Sequence, residues 1–563
     1  MSLPDDSDGE KSILHFGNVA NYLTFENSLI TLIVLGAAFR IITIWTGLVY
    51  VDGAFYSALG DSISRGQGYI IPWYDIRTYS YSLTYPLYLA GFYAAFGYGF
   101  GVTMVAAVIS GLIVLPITYL TTKDLFDRRR GLIATALISI NVTLITLTSR
   151  NHIENMVLIF SILTFWSILK TKDDSRFYVP FGFFAGLTYF TKTDVGTALA
   201  IFAAVAVVIW AFWHEKMKAL KNFYLYVGVL LLIAFGILRW FLATSISGAS
   251  ISASASYSES ILSSRGATAF FSQIPLHLIL IGSFAAFFTP ELISSLREFR
   301  ERQRSILWLG VLGLLLAILV HASTYSVFSY HPVVAVSSKY ITIIFVPILW
   351  LVFCENEFGG KLPRMNLASL KYLIASLKNR WRWVLIFLAS VPVAIFAFLN
   401  LDEWMALTFF LGALSIVLVS GKTRLMIMLV AFLVLSANAM TAVAHPPFLD
   451  LAERMNDDLE PGDTISIHRI EGVSPGFATL NLYPYLDTRD VSFENYTDGV
   501  NVTYIISQFQ INYTGYTLIG TFHDKSESTI LKKAFSSIIS SMTGRELASG
   551  KEPTTYLWMN DYR

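Results

Sequence analysis

Apolar runs of about 15 to 22 residues recur from Leu29 almost to Ala444, and each suits a helix crossing a hydrocarbon core roughly 30 Å thick. Backbone in lipid must satisfy its own hydrogen bonds, so these runs restrict the fold to a bundle of membrane helices. Composition agrees, because 14% charged residues against 55% hydrophobic is too little charge to coat a water-soluble chain of 563 residues. A formal net charge of +1 gives no reason to expect nucleic acid as a partner. The single cysteine, Cys354, excludes an intrachain disulfide framework and a Cys-rich metal site, and reads as a buried apolar thiol.

Hydropathy places spans near 28–49, 101–122, 131–149, 155–169, 177–190, 195–213, 223–243, 271–289, 305–321, 340–354, 383–399, 403–419 and 425–443. Segment 83–98 is short, aromatic and opens around Pro86, and reads as a helix lying in the interface. The basic residues decide the count. With a cytoplasmic N-terminus and 83–98 in the interface, the inner loops hold 22 Lys and Arg, among them Arg128 to Arg130, Lys170, Arg302, Arg304 and Arg424. The outer loops then hold 6, namely Arg65, Arg77, Arg150, Lys192, Arg265 and Lys339, the asymmetry of the positive-inside tendency. Counting 83–98 as a span would reverse every later loop.

The expected organisation is a cytoplasmic tail over 1–27, about thirteen transmembrane helices over 28–444 with an outer loop at 50–100, and an extracytoplasmic soluble α/β domain over 445–563. The tail has acidic residues (Asp5, Asp6, Asp8, Glu10) but no basic n-region or small-residue cleavage site, so the first run is expected to stay as a signal anchor. In the last segment a helix is expected around Phe448 to Leu459, a turn at Pro461-Gly462-Asp463, strands near Thr464 to His468 and Val502 to Ser507, and a helix near Ser528 to Thr543. Sequons at Asn495, Asn501 and Asn512 fall outside the membrane in this reading, whereas Asn141 falls within a span. The serine-rich stretch Thr244 to Ser264 reads as a flexible outer loop that could cover a site.

Ionisable groups are costly at membrane depth, so those on the outer side form a short list of candidates. Asp52 follows the first span in Val51-Asp52-Gly53-Ala54-Phe55-Tyr56, ahead of a long loop with Gly66 to Tyr69, Trp73, Arg77 and Tyr85-Pro86. Arg150-Asn-His152-Ile-Glu154 presents a guanidinium, an imidazole and a carboxylate within five residues, as a charged turn or as part of a site that takes a proton from an acceptor hydroxyl. Lys192 can serve the same site or pair with Asp194; Lys339-Tyr340 opens the tenth span, where a lysine also serves as a snorkelling anchor.

In order and sidedness these motifs resemble the GT-C-fold membrane glycosyltransferases, especially the protein O-mannosyltransferase and aminoarabinose transferase group (glycosyltransferase 39-like). Asp52-Gly53-Ala54-Phe55-Tyr56 corresponds to the group's acidic first-loop motif, Gly66 to Tyr69 to its Gly-Tyr stretch, and Pro86-Leu87-Tyr88 to its interfacial helix. Glu154 matches the second acidic position, Thr191-Lys192-Thr193 the Thr-Lys-Pro-like segment, and Lys339-Tyr340 the late Arg-Tyr motif. Gly53 stands where the group often has Glu, and Lys339 where it has Arg.

The resemblance covers about residues 30–355 and implies a GT-C-like bundle that takes a sugar from a polyprenyl-phosphate donor on the outer face. The acceptor hydroxyl would belong to a protein, a glycan or a lipid. Asp52 is then the expected general base, with Glu154 as the second catalytic carboxylate. His152, Arg150, Lys192, Arg77, Tyr85, Lys339 and Tyr340 would bind donor or acceptor. No nucleotide is required; no metal site is assigned, although two carboxylates and His152 leave a divalent metal open. A transporter or lipid flippase is the alternative, but neither internal repeats nor clearly broken mid-membrane helices are evident. An oligosaccharyltransferase would carry Trp-Trp-Asp in its C-terminal domain, whereas here Trp73-Tyr74-Asp75 lies in the first outer loop.

Overall fold

A computed structural model of the chain describes residues 25–47, 49, 52–69, 82–192, 195–199, 201, 205, 221–247, 284–328, 342–355, 403–418, 421–440, 447–468, 485–486, 492–495, 503–507, 516–523 and 554–560. The helices described are α1 (Phe25–Thr46), α2 (Asp52–Ser64), α3 (Thr84–Phe96), α4 (Phe100–Leu125), α5 (Arg128–Ser139), α6 (Val142–Ser149), α7 (Glu154–Lys170) and α8 (Tyr178–Thr191). They continue with α9 (Phe223–Ser247), α10 (Thr289–Arg297), α11 (Arg302–Phe328), α12 (Phe345–Phe353), α13 (Glu403–Leu418), α14 (Gly421–Ala439) and α15 (Pro447–Asn456).

Among the described residues, α1, α4 and residues Phe223–Phe241 of α9 are long and apolar enough to cross a membrane. The α5–α6 pair makes a fourth if it is counted as one span. The spans expected at 383–399 and over most of 195–213 and 271–289 lie outside the described residues, as do Arg77, Lys339, Tyr340, the expected helix 528–543 and residues 248–264 of the serine-rich stretch. Large side chains on α9, such as Leu230, Ile237 and Trp240, are exposed; in a bilayer that apolar face meets lipid.

Two elements differ from the expectation. The long outer loop contains a thirteen-residue helix, α2, whose residues Gly53 to Ser62 are all buried. The single span expected at 131–149 is two helices bent by 54°. A broken helix frees carbonyls that lipid cannot solvate. Here Arg40 of α1, buried itself, donates to the carbonyls of Ser139 and, at 2.9 Å, Ile138, and Ser436 of α14 donates to that of Ile140 at 2.6 Å. The Asn141 side chain accepts from the Leu144 amide at 3.1 Å and starts α6. Gly36 lets α1 approach this break, since a Cβ there would lie 2.3 Å from the Ser139 carbonyl oxygen.

One end of the bundle carries a belt of ion pairs. Arg304 meets Glu298, Glu301 and Glu355, Arg424 meets Glu291, Arg130 meets Asp127, and Lys170 meets Asp124 at 3.3 Å. Asp52, His152 and Lys192 lie at the other end of α7, whose seventeen residues separate the two by about 25 Å at 1.5 Å per residue.

After α15 the chain forms a five-stranded sheet in the order β2-β1-β3-β5-β4, with β1 Thr464–His468, β2 Ser492–Asn495, β3 Tyr504–Ser507, β4 Tyr516–His523 and β5 Thr554–Asn560. β1 runs parallel to β2 and β3, while β5 is antiparallel to β3 and β4. Leu451, Ala452 and Met455 form the buried stripe of α15. The Pro461-Gly462-Asp463 turn has Gly462 at φ +94°, a conformation that glycine adopts without steric cost, and Asp463 accepts from the Glu460 amide at 2.8 Å.

Candidate active site

The site is organised by the way α6 ends. The Asn151 amide donates to the carbonyl of Thr148 and the His152 amide to that of Leu147, with Asn151 in the left-handed region at φ 54°. This is a Schellman cap with asparagine in place of the usual glycine. It reverses the chain in four residues, so His152 and the first residue of α7, Glu154, emerge together.

The Asn151 side chain, fully buried, fastens this turn to two other helices. Its Nδ2 donates to the Gly53 carbonyl and to Ser57 Oγ, both at 3.0 Å, and its Oδ1 accepts from Tyr85 Oη at 2.7 Å. Tyr85 in turn stacks on Tyr88 with 5.8 Å between ring centroids and meets Tyr56 edge-on. Asp52, at the start of α2, is thereby brought to the charged turn. His152 Nδ1 lies 4.0 Å from Asp52 Oδ2 and 3.5 Å from Glu154 Oε2.

Glu154 is 1% exposed and Asp52 30%, so of the two carboxylates Asp52 is the one that a solvent-borne hydroxyl can reach. Burying Glu154 ionised requires a partner, and Lys192 Nζ supplies one at 3.2 Å from Oε1. Lys192 sits at the C-cap of α8. Next to it, Arg239 of α9 reaches the carbonyls of Tyr189 and Phe190 at 3.5 and 3.4 Å and lies over the Tyr189 ring. The Leu83 amide also donates to the Phe190 carbonyl, tying α3 to the same corner. Arg150 is exposed at the rim.

The structure therefore gathers Asp52, His152, Glu154, Lys192 and Tyr85 from α2, the α6–α7 turn, α7, the end of α8 and α3. Asn151, Ser57 and Arg239 belong to the same assembly and were not among the sequence candidates. Gly53 has a local cause: a Cβ there would lie 2.2 Å from the Arg150 carbonyl oxygen, so α2 and the charged turn meet backbone to backbone. Among the described residues no group of three His, Cys, Asp or Glu side chains is gathered closely enough to hold a metal ion.

Residues 82–240 match the model of the dolichyl-phosphate-mannose-protein mannosyltransferase family. The match includes Tyr85, Arg150, His152, Glu154 and Lys192 and begins after Asp52. Over 94% of this chain and 97% of the other, the fold is similar to the crystal structure of apo ArnT from Cupriavidus metallidurans, with a TM-score of 0.53 and 14% identity. This chain has a GT-C fold. The undecaprenyl-phosphate-bound crystal structure of the same Cupriavidus metallidurans protein gives a TM-score of 0.51, 14% identity and the same coverage. No curated protein sequence matches the chain. At 14% identity the likeness is one of GT-C fold, and the 82–240 match adds to it the sequence pattern of a membrane glycosyltransferase.

Proposed function

We propose that the chain transfers a sugar from a polyprenyl phosphate to an acceptor hydroxyl, with Asp52 as general base. The observation that carries this reading is the pairing of a partly exposed carboxylate, Asp52, with a buried one, Glu154, across His152. A polyprenyl phosphate leaves as an already stable anion, so its departure needs a nearby cation more than a general acid, whereas the attacking hydroxyl needs a base. Asp52 takes the hydroxyl proton as the oxygen attacks the anomeric carbon. The C–O bond to phosphate breaks on the opposite face, and the configuration inverts.

In this reading His152 holds the acceptor side of the site, and the buried Glu154 completes it by holding His152 and Lys192 in place. Lys339, with Lys192 or Arg150, supplies positive charge for the phosphate; Arg77 and Tyr340 are further candidates for binding donor or acceptor, and Tyr85 is a support through Asn151. Supporting the donor class are the dolichyl-phosphate-mannose transferase pattern over 82–240 and the undecaprenyl phosphate bound by a protein of the same fold. The chain sits as an integral membrane protein with its N-terminus cytoplasmic and its C-terminal α/β region outside, and the acceptor is a protein, glycan or lipid.

The test uses purified full-length protein with radiolabelled polyprenyl-phosphate sugars and, separately, nucleotide sugars, offered to membrane extracts. The expected result is transfer from lipid-phosphate donors alone. Transfer from nucleotide sugars overturns the donor assignment, and movement of a lipid or solute across vesicles with no transfer puts a transporter in its place.

A further inference from the structure

Tyr485 lies beyond the membrane helices in sequence, yet its phenol reaches the linker between α1 and α2. Its Oη accepts from the Val49 amide at 2.9 Å and donates to the Val49 carbonyl at 3.2 Å. One hydroxyl thus satisfies both backbone groups of a single residue. Val49 is fully buried and precedes Asp52 by three positions, after α1 has ended at Thr46 and before α2 begins. Buried backbone groups outside a helix need such partners.

The tyrosine is itself held from both sides. Its ring stacks on Phe100, the first residue of α4, with centroids 5.1 Å apart and planes 30° apart. Its carbonyl accepts from Asn456 Nδ2, at the end of α15, at 2.9 Å. Burial pushes the phenol well above the usual tyrosine range, so the hydroxyl keeps the proton that it donates to Val49. A line of contacts runs from α15 through Asn456 and Tyr485 to Val49, three positions ahead of Asp52.

We propose that Tyr485 is a positioning residue for Asp52, through which the C-terminal α/β region sets the height of that carboxylate above the charged turn. Asn151 fixes α2 from the side of the turn, at Gly53 and Ser57; Tyr485 fixes Val49, three residues ahead of Asp52. A carboxylate that must meet an acceptor proton loses rate when it moves by an ångström, whereas donor binding elsewhere in the pocket is spared. The kinetic part of this inference rests on the transferase reading, and the positional part does not.

The experiment separates the two parts. In full-length protein carrying Cys354→Ser and Asp52→Cys, the rate of thiol alkylation at position 52 is measured with and without Tyr485→Phe, a change that keeps the ring on Phe100 and removes only the hydroxyl. In parallel, Tyr485→Phe with Asp52 intact is assayed for transfer. The expected results are a severalfold faster alkylation and a kcat lowered about 10- to 100-fold with the donor KM nearly unchanged. Asn456→Ala, which loosens the tether and leaves the phenol intact, is expected to act in the same direction and carries the test if Tyr485→Phe does not fold. Unchanged alkylation in both variants overturns the proposal, whatever the activity. Faster alkylation in a protein whose parent transfers no sugar upholds the positioning and removes the transferase reading instead.

Discussion

Asn151 is uncharged, yet it decides where the charged groups beside it stand. Truncation by Asn151→Ala leaves the Gly53 carbonyl, Ser57 Oγ and Tyr85 Oη without this partner and puts alanine at a positive φ. About 3 kcal/mol of stability is expected to be lost, seen as a lowered thermal midpoint in detergent. Gly53→Ala forces a Cβ against the Arg150 carbonyl and is expected to cost about 1–3 kcal/mol by overpacking; Gly53→Glu, which restores two adjacent carboxylates, should lower transfer rather than raise it. The charge pattern of Arg150 to Glu154 was legible because ionisable residues stand out in an apolar chain. Asn151 was not, because its role depends on two helices distant in sequence, although an asparagine just past a helix is a known left-handed cap signal. Lys192 was legible as a cation but not as the partner of Glu154, since a separation of 38 in sequence leaves no local trace.

At the level of helices and strands, three expected spans have counterparts among the described helices that are long and apolar enough to cross a membrane: 28–49 in α1, 101–122 in α4 and 223–243 in α9. The misses have physical causes. α2 is rich in small and hydroxyl residues (DGAFYSALGDSIS) and buries them against protein rather than lipid, so a hydropathy window passes over it. The α5–α6 break was hidden because its apolar composition is continuous, and the devices that permit it, Arg40 and Ser436, sit in other helices. Arg40→Met is expected to cost about 2–3 kcal/mol, as charge-assisted bonds to buried carbonyls are lost, and Ser436→Ala about 1 kcal/mol; thermal unfolding of each in detergent checks both. Of the five strands, β1 and β3 were expected. β2 is only four residues with a polar majority, whereas β4 (YTLIGTFH) and β5 (TTYLWMN) carry aromatic and β-branched residues that favour strands, a signal that was there to be read and was passed over.

The molecule as a whole has two chemically distinct ends joined by α7. The ion-pair belt around Arg304, Arg130 and Arg424 coincides with loops assigned to the cytoplasm by their basic residues, and the Asp52 site stands at the opposite end. A cysteine placed at the exposed Lys172 is expected to react with an impermeant maleimide only in inverted vesicles, and one placed at the exposed Gly66 only in right-side-out cells, both on a Cys354→Ser background. The reverse pattern would invert the topology and move the site to the cytoplasmic face. The most direct measurement is transfer by Asp52→Asn beside the wild type, with binding of the polyprenyl-phosphate donor measured on both proteins. With Asp52 as general base, donor binding is kept while kcat falls at least about a hundredfold, the scale of a lost general base. An Asp52→Asn protein that transfers sugar at the wild-type rate would contradict that role.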